Sequence, residues 1–353
     1  MRSIEFGTID EEISLQDKVA FMSDPSVDPF SADHVVARET HMSWVFLVGK
    51  RVYKLKKPIR SAAHDFSTLR RREAACRAEF RLNRRLADAT YLGVIPLTLS
   101  GGGLAFDGSG EVVDWLVVMR RRDEMHILEE MLLQHRLAPP ELDRLALRLT
   151  DFYRHARPSR LAPDQHIGHL RQTLAQNRRI LLDPRLQLPG GLVRNIDRLQ
   201  YWFLDAGKRL IAQRSRARLI VDAHGDLRPE HIWLGEPLRI IDCLEFNERL
   251  RTLDALSEIA FFDLECERLG APWAGEHLRK RIFGRLPGLK QETLFHFYRS
   301  YHGMVRARLA IAHLLEPVPR KPAKWRPLTL AYLEAAEADA RRLHELLKRP
   351  RGR

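Results

Sequence analysis

The segment that most constrains this chain is a loop at residues 224–234, which reads His-Gly-Asp-Leu-Arg-Pro-Glu-His-Ile-Trp-Leu. It brings Asp226, Arg228 and His231 close together in the sequence. A short apolar run then leads to a second aspartate, Asp242. The glycine before Asp226 indicates a tight turn, and the apolar run before Asp242 predicts a strand. The pattern therefore predicts that the carboxylate of Asp226 projects from a tight turn and that Asp242 directly follows a strand.

These residue types suit the transfer of the γ-phosphoryl group of ATP. Such a transfer needs positioning and charge neutralisation more than covalent help from the protein. Asp226 is suited to orient a substrate hydroxyl as the base, and Arg228 to stabilise charge on the transferring phosphate. Asp242 offers the hard oxygen ligand that Mg²⁺ prefers, and His231 would turn back toward the same metal. We expect Asp226 and Arg228 to be catalytic and His231 and Asp242 to bind metal.

The loop resembles the catalytic loop of aminoglycoside and choline-type phosphotransferases. It is also similar to the His-Arg-Asp-Leu-Lys-Pro-Glu-Asn-Ile loop of protein kinases. Residues 254–260 resemble the Asp-Pro-x-x-Asp-Leu-Ala pattern that follows in the phosphotransferases, whose two acids we expect to support the scaffold. The resemblance implies an α+β, protein-kinase-like bilobal fold with a small β-rich N-lobe, a larger mainly helical C-lobe and ATP in the cleft. It also implies that Asp242 corresponds to the aspartate of the Asp-Phe-Gly motif.

Three further segments, at residues 40–46, 53–58 and 242–249, resemble a bacterial subgroup of the aminoglycoside phosphotransferase-like family. Members of that subgroup are often fused to a C-terminal P-loop ATPase domain. The Walker A pattern does not occur in this sequence, so we do not expect the fused activity here.

The resemblance also implies the residues that contact ATP phosphates. Lys54, in a predicted strand, resembles the lysine that pairs with the phosphates, and Glu79 resembles its partner on the following helix. Lys56 shares the strand face of Lys54, and Glu73 lies on the helix of Glu79, so each assignment has a competitor.

Two other segments would complete the nucleotide site. Ser43 belongs to residues 40–43, the one stretch that could cover the phosphates in the absence of a glycine-rich loop. Backbone groups from Met119 to Arg121 follow the strand that resembles the one leading into the hinge of kinases. We expect those groups to meet adenine.

The main departure from the family pattern is His231, which replaces the asparagine that contributes a second metal contact. Imidazole is a softer ligand than an amide oxygen and suits manganese or zinc better than magnesium. The expected cofactors are therefore ATP and Mg²⁺, with Mn²⁺ as an alternative metal. The same departure leaves a second hypothesis open, a nucleotide-binding pseudokinase or adaptor. A zinc site built on His224, His231 and a cysteine would need one more ligand.

The periodicity of the chain divides it into a strand-rich and a helix-rich part. Six strands are predicted, at 35–38, 44–48, 52–56, 94–99, 104–106 and 115–119, with one helix from about 67 to 86. Five helices are predicted near 139–156, 166–182, 190–213, 291–315 and 327–348. We expect an N-lobe at residues 1–118 on the nucleotide-phosphate side. We expect a C-lobe at 119–353 with the catalytic loop and the acceptor site.

The composition limits the kinds of binding partner that we expect. The 353 residues are 44% hydrophobic and carry a net charge of +13, without the aromatic interleaving of a nucleic-acid platform. We interpret the charge as solvated surface and phosphate attraction, so the expected partner is a small-molecule hydroxyl acceptor and not a nucleic acid. The N-terminus lacks the build of a signal peptide, and three separate cysteines fit reduced thiols, which together favour a cytoplasmic protein without a membrane segment.

The same basic composition does not favour a polycationic aminoglycoside as the acceptor, because such drugs need an acidic pocket. Asp263, Glu265 and Glu267 are nevertheless acids that could supply one.

Overall fold

The computed structural model describes residues 13–27, 34–61, 64–101, 103–316 and 318–348. The N-terminal stretch at residues 1–12, on which the absence of a signal peptide was predicted, lies outside the described residues. The helices are α1 (Leu15–Ser23), α2 (Leu69–Ala87), α3 (Leu128–Leu133), α4 (Pro139–His155), α5 (Pro163–Leu181), α6 (Gly190–Ala206), α7 (Lys208–Arg216), α8 (Glu248–Arg251), α9 (Ala255–Arg268), α10 (Pro272–Arg285), α11 (Glu292–Ala312) and α12 (Pro322–Lys348). The strands are β1 (Val35–Glu39), β2 (Ser43–Val48), β3 (Arg51–Lys56), β4 (Tyr91–Ser100), β5 (Gly103–Phe106), β6 (Glu111–Arg120), β7 (Ile220–Asp222), β8 (Ile232–Trp233), β9 (Arg239–Ile240) and β10 (Thr252–Asp254).

The chain forms two compact units. The first consists of the described residues of Met1–Glu130 and His231–Leu250, and the second of those of Met131–Glu230 and Arg251–Arg353. The segment 231–250 belongs to the first unit because β9 contacts α2 and Trp233 forms a bridge with Ile127. The division into lobes after residue 118 stays a prediction, since compact units and functional lobes are different partitions.

The first unit is built on a six-stranded antiparallel sheet with the strand order β1-β2-β3-β6-β4-β5. The predicted strands at 44–48 and 52–56 form a hairpin, β2–β3, with Val48 paired to Arg51 and Gly49 at a φ of 52°. Glycine suits this turn because a positive φ costs it little. Buried side chains from α1 and one face of the sheet form a core of Met22, Phe46, Val48, Tyr53, Leu55, Leu97, Leu116 and Val118.

Strand β3 sends alternate side chains to the two faces of this sheet. Tyr53 and Leu55 join the core on the α1 side. Because side chains alternate along a strand, Lys54 and Lys56 point to the opposite face, where α2 packs. A second buried group on that face contains Cys76 of α2 with Val117 of β6. The two lysines therefore point toward α2, the helix from which we expect a carboxylate partner for their charges.

Helix α2 begins where the sequence predicts, with Thr68 as its N-cap accepting the backbone N–H of Arg71 at 3.3 Å. Its buried residues recur at helical spacing and include Arg72, Ala75, Cys76, Glu79, Leu82, Asn83 and Leu86. Glu79 is therefore on the face turned to the sheet, whereas the side chain of Glu73 is 32% exposed and pairs with Arg77.

The second unit is mainly helical and contains the short antiparallel ribbon of β7 and β10. Its core is formed by α6, α9, α11 and α12, with Val193, Ile196, Leu264, Met304, Ile311, Leu333 and Ala340 among the buried side chains. Gly303 allows α11 to approach α12 closely, because a Cβ there would lie 3.0 Å from the carbonyl oxygen of Tyr332. Within the described residues, none of the helices has the length and apolar character needed to cross a bilayer.

Three helix predictions need correction. The predicted helix at 190–213 is two helices, because Gly207 ends α6 and donates its N–H to Phe203 at 2.7 Å. The last helix begins at Pro322 and not after Pro327, which is accommodated in the second turn, where little of the helix precedes it. Helices α1, α3, α8, α9 and α10 were not predicted. Eleven of the fourteen residues of α9 are buried. The sequence therefore lacks the alternation of an apolar and an exposed face by which a helix is recognised.

Candidate active site

In the first unit, Lys54 links the helix acid and the loop aspartate that the sequence singles out. Its Nζ lies 2.9 Å from Oε1 of Glu79 and 2.9 Å from Oδ1 of Asp242. Burial opposes the charged form of Lys54, yet Asp242, Glu79 and Glu245 hold its pKa well above the ordinary value. The structure thus brings three of the predicted residues together around one cation.

Lys56 contacts the other oxygen of the same helix acid. Its Nζ lies 2.7 Å from Oε2 of Glu79 and also donates to Oε1 of Glu245. Burial raises the pKa of Glu79, but Lys54 and Lys56 outweigh it and lower that pKa overall. We call Lys54, Lys56, Glu79, Asp242 and Glu245 the lysine–carboxylate cluster.

The geometry separates Glu79 from its competitor Glu73, but it separates Lys54 from Lys56 only in part. Glu79, and not Glu73, is the helix acid that both lysines contact. Lys54 and Lys56 share it, and only Lys54 of the two contacts Asp242 among the ion pairs of the cluster. Sequence reasoning missed Glu245, although it belongs to the segment 242–249 that carries the family resemblance.

Asp242 is held by its backbone, which leaves its carboxylate accessible. Its φ is 63°, in the left-handed region, and its N–H donates to the Tyr91 hydroxyl at 3.4 Å. The next residue, Cys243, donates its N–H to Asn83 of α2 at 2.8 Å. The Asp242 side chain is 46% exposed in spite of its contact with Lys54. A solvent-accessible carboxylate on a fixed backbone is suitable for binding a metal ion.

His231 contacts this aspartate, since its Nε2 lies 3.5 Å from Oδ2 of Asp242. The antiparallel pair β8–β9 sets this geometry, with Ile232 opposite Ile240 and the Ile241 N–H bonded to the His231 carbonyl at 2.9 Å. No group of three or more His, Cys, Asp or Glu in the described part of the chain could hold a metal ion by itself. An imidazole and a carboxylate facing each other fit a divalent metal whose remaining ligands are phosphate oxygens and water.

The other predicted nucleotide contacts lie at the ends of strands. Ser43 begins β2 and is buried, with its N–H bonded to Oγ1 of Thr40 at 2.9 Å. Met119 pairs with Val52 on one side and Tyr91 on the other. Arg121 is exposed, and its N–H donates to the Lys50 carbonyl at 2.8 Å. These contacts occupy several of the groups assigned to nucleotide binding, so those roles stay predictions.

In the second unit, the loop at 224–230 presents a paired aspartate. Gly225 has a φ of 87°, which forms the tight turn before Asp226. Oδ2 of Asp226 lies 2.9 Å from Nη2 of Arg228, whose Nη1 lies 2.6 Å from Oε1 of Glu230. Burial opposes the charge of Arg228, but Asp226 and Glu230 raise its pKa even with Arg306 nearby. Asp226 and Arg228, the two predicted catalytic residues, are therefore in contact.

Glu258 of α9 anchors this loop from below. Its carboxylate accepts the backbone N–H of His224 at 3.1 Å and of Gly225 at 2.6 Å, and the hydroxyl of Tyr153 at 2.8 Å. His224 is 1% exposed, and its Nδ1 accepts the N–H of Asp226 at 3.3 Å. Glu258 and His224 thus hold the turn, which is the supporting role expected for the acid at 258.

The acids considered for a polycation pocket are paired inside the second unit. Arg299 binds both Asp263 and Glu267. Glu265 is fully buried and accepts the Tyr332 hydroxyl at 2.7 Å and the Arg268 side chain at 2.8 Å. These three acids therefore serve internal contacts, which weakens the case for an acidic acceptor pocket built from them.

The buried position of Glu79 leads to a stability prediction. We expect Glu79→Gln to lower the free energy of unfolding by about 2–3 kcal/mol, somewhat below the ~3–5 kcal/mol typical of an orphaned buried ion, because each lysine keeps one other carboxylate. Glu73→Gln, at a half-buried position that pairs only with partly exposed Arg77, should change it by less than about 0.5 kcal/mol. Urea unfolding of both variants measures this difference, and equal costs would show that Glu79 does not compensate the lysines.

The scan for protein-family models found no match to the chain. Uncharacterized proteins of Mycobacterium tuberculosis and Mycobacterium bovis are each 32% identical over 290 residues, covering 81% of this chain and 56% of theirs. The chain therefore spans about half the length of these relatives. Membership of the bacterial subgroup stays a prediction.

Solved structures of similar fold identify the fold of this chain. A thermostable mutant of an aminoglycoside phosphotransferase has a TM-score of 0.53 at 12% identity, covering 90% of this chain and 97% of that protein. A choline kinase from Cryptosporidium parvum has a TM-score of 0.51 at 12% identity, covering 94% of both chains. The predicted fold class is confirmed: the chain has the α+β, protein-kinase-like fold, with a β-rich unit and a larger helical unit.

Proposed function

We propose that this chain is an ATP-dependent phosphotransferase that transfers the γ-phosphoryl group to a hydroxyl of a small molecule. The observation that carries the proposal is Lys54, whose Nζ lies 2.9 Å from both the buried Glu79 and the accessible Asp242. A lysine held by a helix acid beside a carboxylate on a fixed backbone is the arrangement that phosphoryl transfer uses to position phosphates and metal. Lys54 would contact the phosphates, and Glu79 would keep it oriented.

Asp226 would act as the base that orients the acceptor hydroxyl. Glu258 supports this role by fixing the turn through two backbone N–H groups, so the carboxylate is presented from a rigid support. Arg228 already contacts Asp226 and carries a raised pKa, so it stays cationic and could stabilise the charge of the transferring group.

Asp242 and His231 would bind the divalent metal. When bound, the metal neutralises phosphate charge, and ATP supplies the group that is transferred. One carboxylate and one imidazole leave most positions of the metal to phosphate oxygens and water, as in many ATP-dependent sites.

Replacing His231 tests this metal assignment. We expect His231→Asn to raise activity with Mg²⁺ relative to Mn²⁺ by roughly tenfold, or about 1.4 kcal/mol, because an amide oxygen is a harder ligand than imidazole. Initial rates with each metal over a concentration series measure the ratio. His155→Asn, at an exposed position of α4, is the control and should leave the ratio unchanged. An unchanged ratio in His231→Asn would remove this histidine from the metal site.

The acceptor class is proposed from chemistry and from the fold's neighbours. The phosphotransferase and kinase of similar fold are named for an aminoglycoside and for choline, both small molecules that bear hydroxyl groups. Pairing of Asp263, Glu265 and Glu267 with arginines favours an acceptor other than a polycation.

The deciding experiment is transfer from ATP, with Mg²⁺ or Mn²⁺, to a library of hydroxyl-bearing metabolites. We expect at least one member to gain a phosphoryl group, detected by mass spectrometry. A protein that binds nucleotide but modifies no acceptor and hydrolyses no ATP would instead support a pseudokinase or adaptor. That second candidate is favoured by His231, which occupies the position of the family's asparagine.

A further inference from the structure

We propose that Lys56 and Glu245 form a positioning pair that anchors the metal-binding segment 242–245 to α2. The proposal rests on the function above, because it explains how Asp242 is held for its part in that function. Neither residue was assigned a role on sequence grounds beyond the competition of Lys56 with Lys54.

The first argument is the path of contacts. Glu79 uses one carboxylate oxygen for Lys54 and the other for Lys56, at 2.9 and 2.7 Å. Lys56 then reaches Glu245, three residues beyond Asp242. The segment 242–245 is thus attached to α2 in three ways. The Cys243 N–H donates to Asn83, the Cys243 Sγ accepts from Arg85 at 3.2 Å, and the Glu245 side chain is linked through Lys56 and Glu79.

The second argument is burial. The side chains of Lys56 and Glu79 are each 1% exposed, and that of Glu245 is 7% exposed. Burial raises the pKa of Glu245, and Lys56 is the main group that opposes this shift. Buried charges without partners are strongly destabilising, so this pair is far more constrained than the exposed pairs on α2.

The third argument is that Glu245 also lines a pocket. The pocket has a volume of about 430 Å³, and its other lining residues include His64, Phe66, Ala75 and Phe246. The ion pair with Lys56 therefore holds a side chain that is not enclosed by protein on every side.

The fourth argument is charge balance. The lysine–carboxylate cluster contains three carboxylates and two lysines. Without Lys56, all three acids would depend on Lys54, which would be held more tightly inside the cluster. Lys56 thus balances Glu245 and one oxygen of Glu79, while Lys54 balances the other oxygen of Glu79 and Asp242.

The test compares Lys56→Met, Glu245→Gln and the double variant with a matched exposed pair, Glu73→Gln and Arg77→Met, on α2. Hydrogen exchange without nucleotide reports the anchoring directly. We expect amides of peptides covering 242–246 to exchange at least tenfold faster in either single variant. The double variant should match the singles, because the two residues act as a unit. The exposed pair should have no effect on this segment.

Calorimetric binding of Mn²⁺–ATP then reports the positioning role. We expect both single variants to weaken binding by roughly 10–100-fold, as for groups that orient metal ligands. Unchanged exchange in Lys56→Met and Glu245→Gln would overturn the anchoring, whatever the activity. Faster exchange with unchanged Mn²⁺–ATP affinity would overturn the positioning role. A wild-type protein that binds no Mn²⁺–ATP would refute the proposed function, while exchange still decides the anchoring. If Lys56→Met does not fold, Glu245→Gln, which removes only the negative charge, carries the comparison.

Discussion

Asp226→Asn is expected to lower kcat for phosphoryl transfer by roughly 10²–10⁴-fold, the range that a positioned base contributes. Asparagine keeps the size of the side chain and can still accept a hydrogen bond from Arg228, which lies 2.9 Å from the aspartate. It lacks the carboxylate that accepts the proton of the acceptor hydroxyl. Initial rates with the best acceptor found in the library measure the loss, and calorimetry with ATP should show binding within about threefold of wild type.

The matched control is Asp151→Asn, which removes an acid whose side chain is 62% exposed on α4. It should leave kcat within about twofold of wild type, as expected for a surface change. If Asp226→Asn keeps most of the wild-type rate, Asp226 is not the base, and the acceptor hydroxyl must be oriented by another group.

The second large effect is expected at Glu258. Replacing it by alanine should lower the free energy of unfolding by roughly 3–5 kcal/mol, because three buried donors lose their acceptor. These are the N–H groups of His224 and Gly225 and the hydroxyl of Tyr153. Urea unfolding followed by circular dichroism measures the change. Transfer activity should fall with it, since the turn before Asp226 loses its support.

Tyr153→Phe separates the contributions at this site. It removes one donor and leaves Glu258 with the two backbone groups, so we expect a cost of about 1 kcal/mol and nearly normal activity. Equal costs for Tyr153→Phe and Glu258→Ala would contradict a role for this acid in holding the loop.

The sequence permits prediction of much of the local structure in the first unit. Strand β3 and its hairpin follow from alternation and Gly49, and the start of α2 follows from Thr68. The loop aspartates are predictable because glycine before Asp226 and an apolar strand before Asp242 each indicate a particular local backbone. The division of the chain between the two units is harder to predict from the sequence. Segment 231–250 joins the first unit through contacts with residues that are distant from it in the sequence.

The alternatives that the sequence leaves open, and the helices that it does not indicate, have a common physical origin in long-range burial. Glu73 and Glu79 are both acids on one helix, and only the packing of α2 on the sheet shows which one is buried. Helix α9 has little amphipathic contrast because it is covered on most sides. The sequence around Glu258 therefore does not indicate that this residue supports the loop at 224–230. Similarly, Asp263 and Glu267 look like available surface acids until their partner, Arg299 of α11, is known.

The left-handed backbone of Asp242 restricts which residues can replace it, before any chemistry is considered. A φ of 63° costs an ordinary residue roughly 1–2 kcal/mol, whereas asparagine tolerates it and glycine adopts it freely. Alanine at this position would therefore mix backbone strain with the loss of the carboxylate, while asparagine isolates the carboxylate. Glycine would relax the chain and remove the proposed metal ligand in one step. Aspartate also tolerates this backbone conformation better than most residues, and its carboxylate pairs with Lys54, so position 242 combines a left-handed backbone with a partner for that lysine.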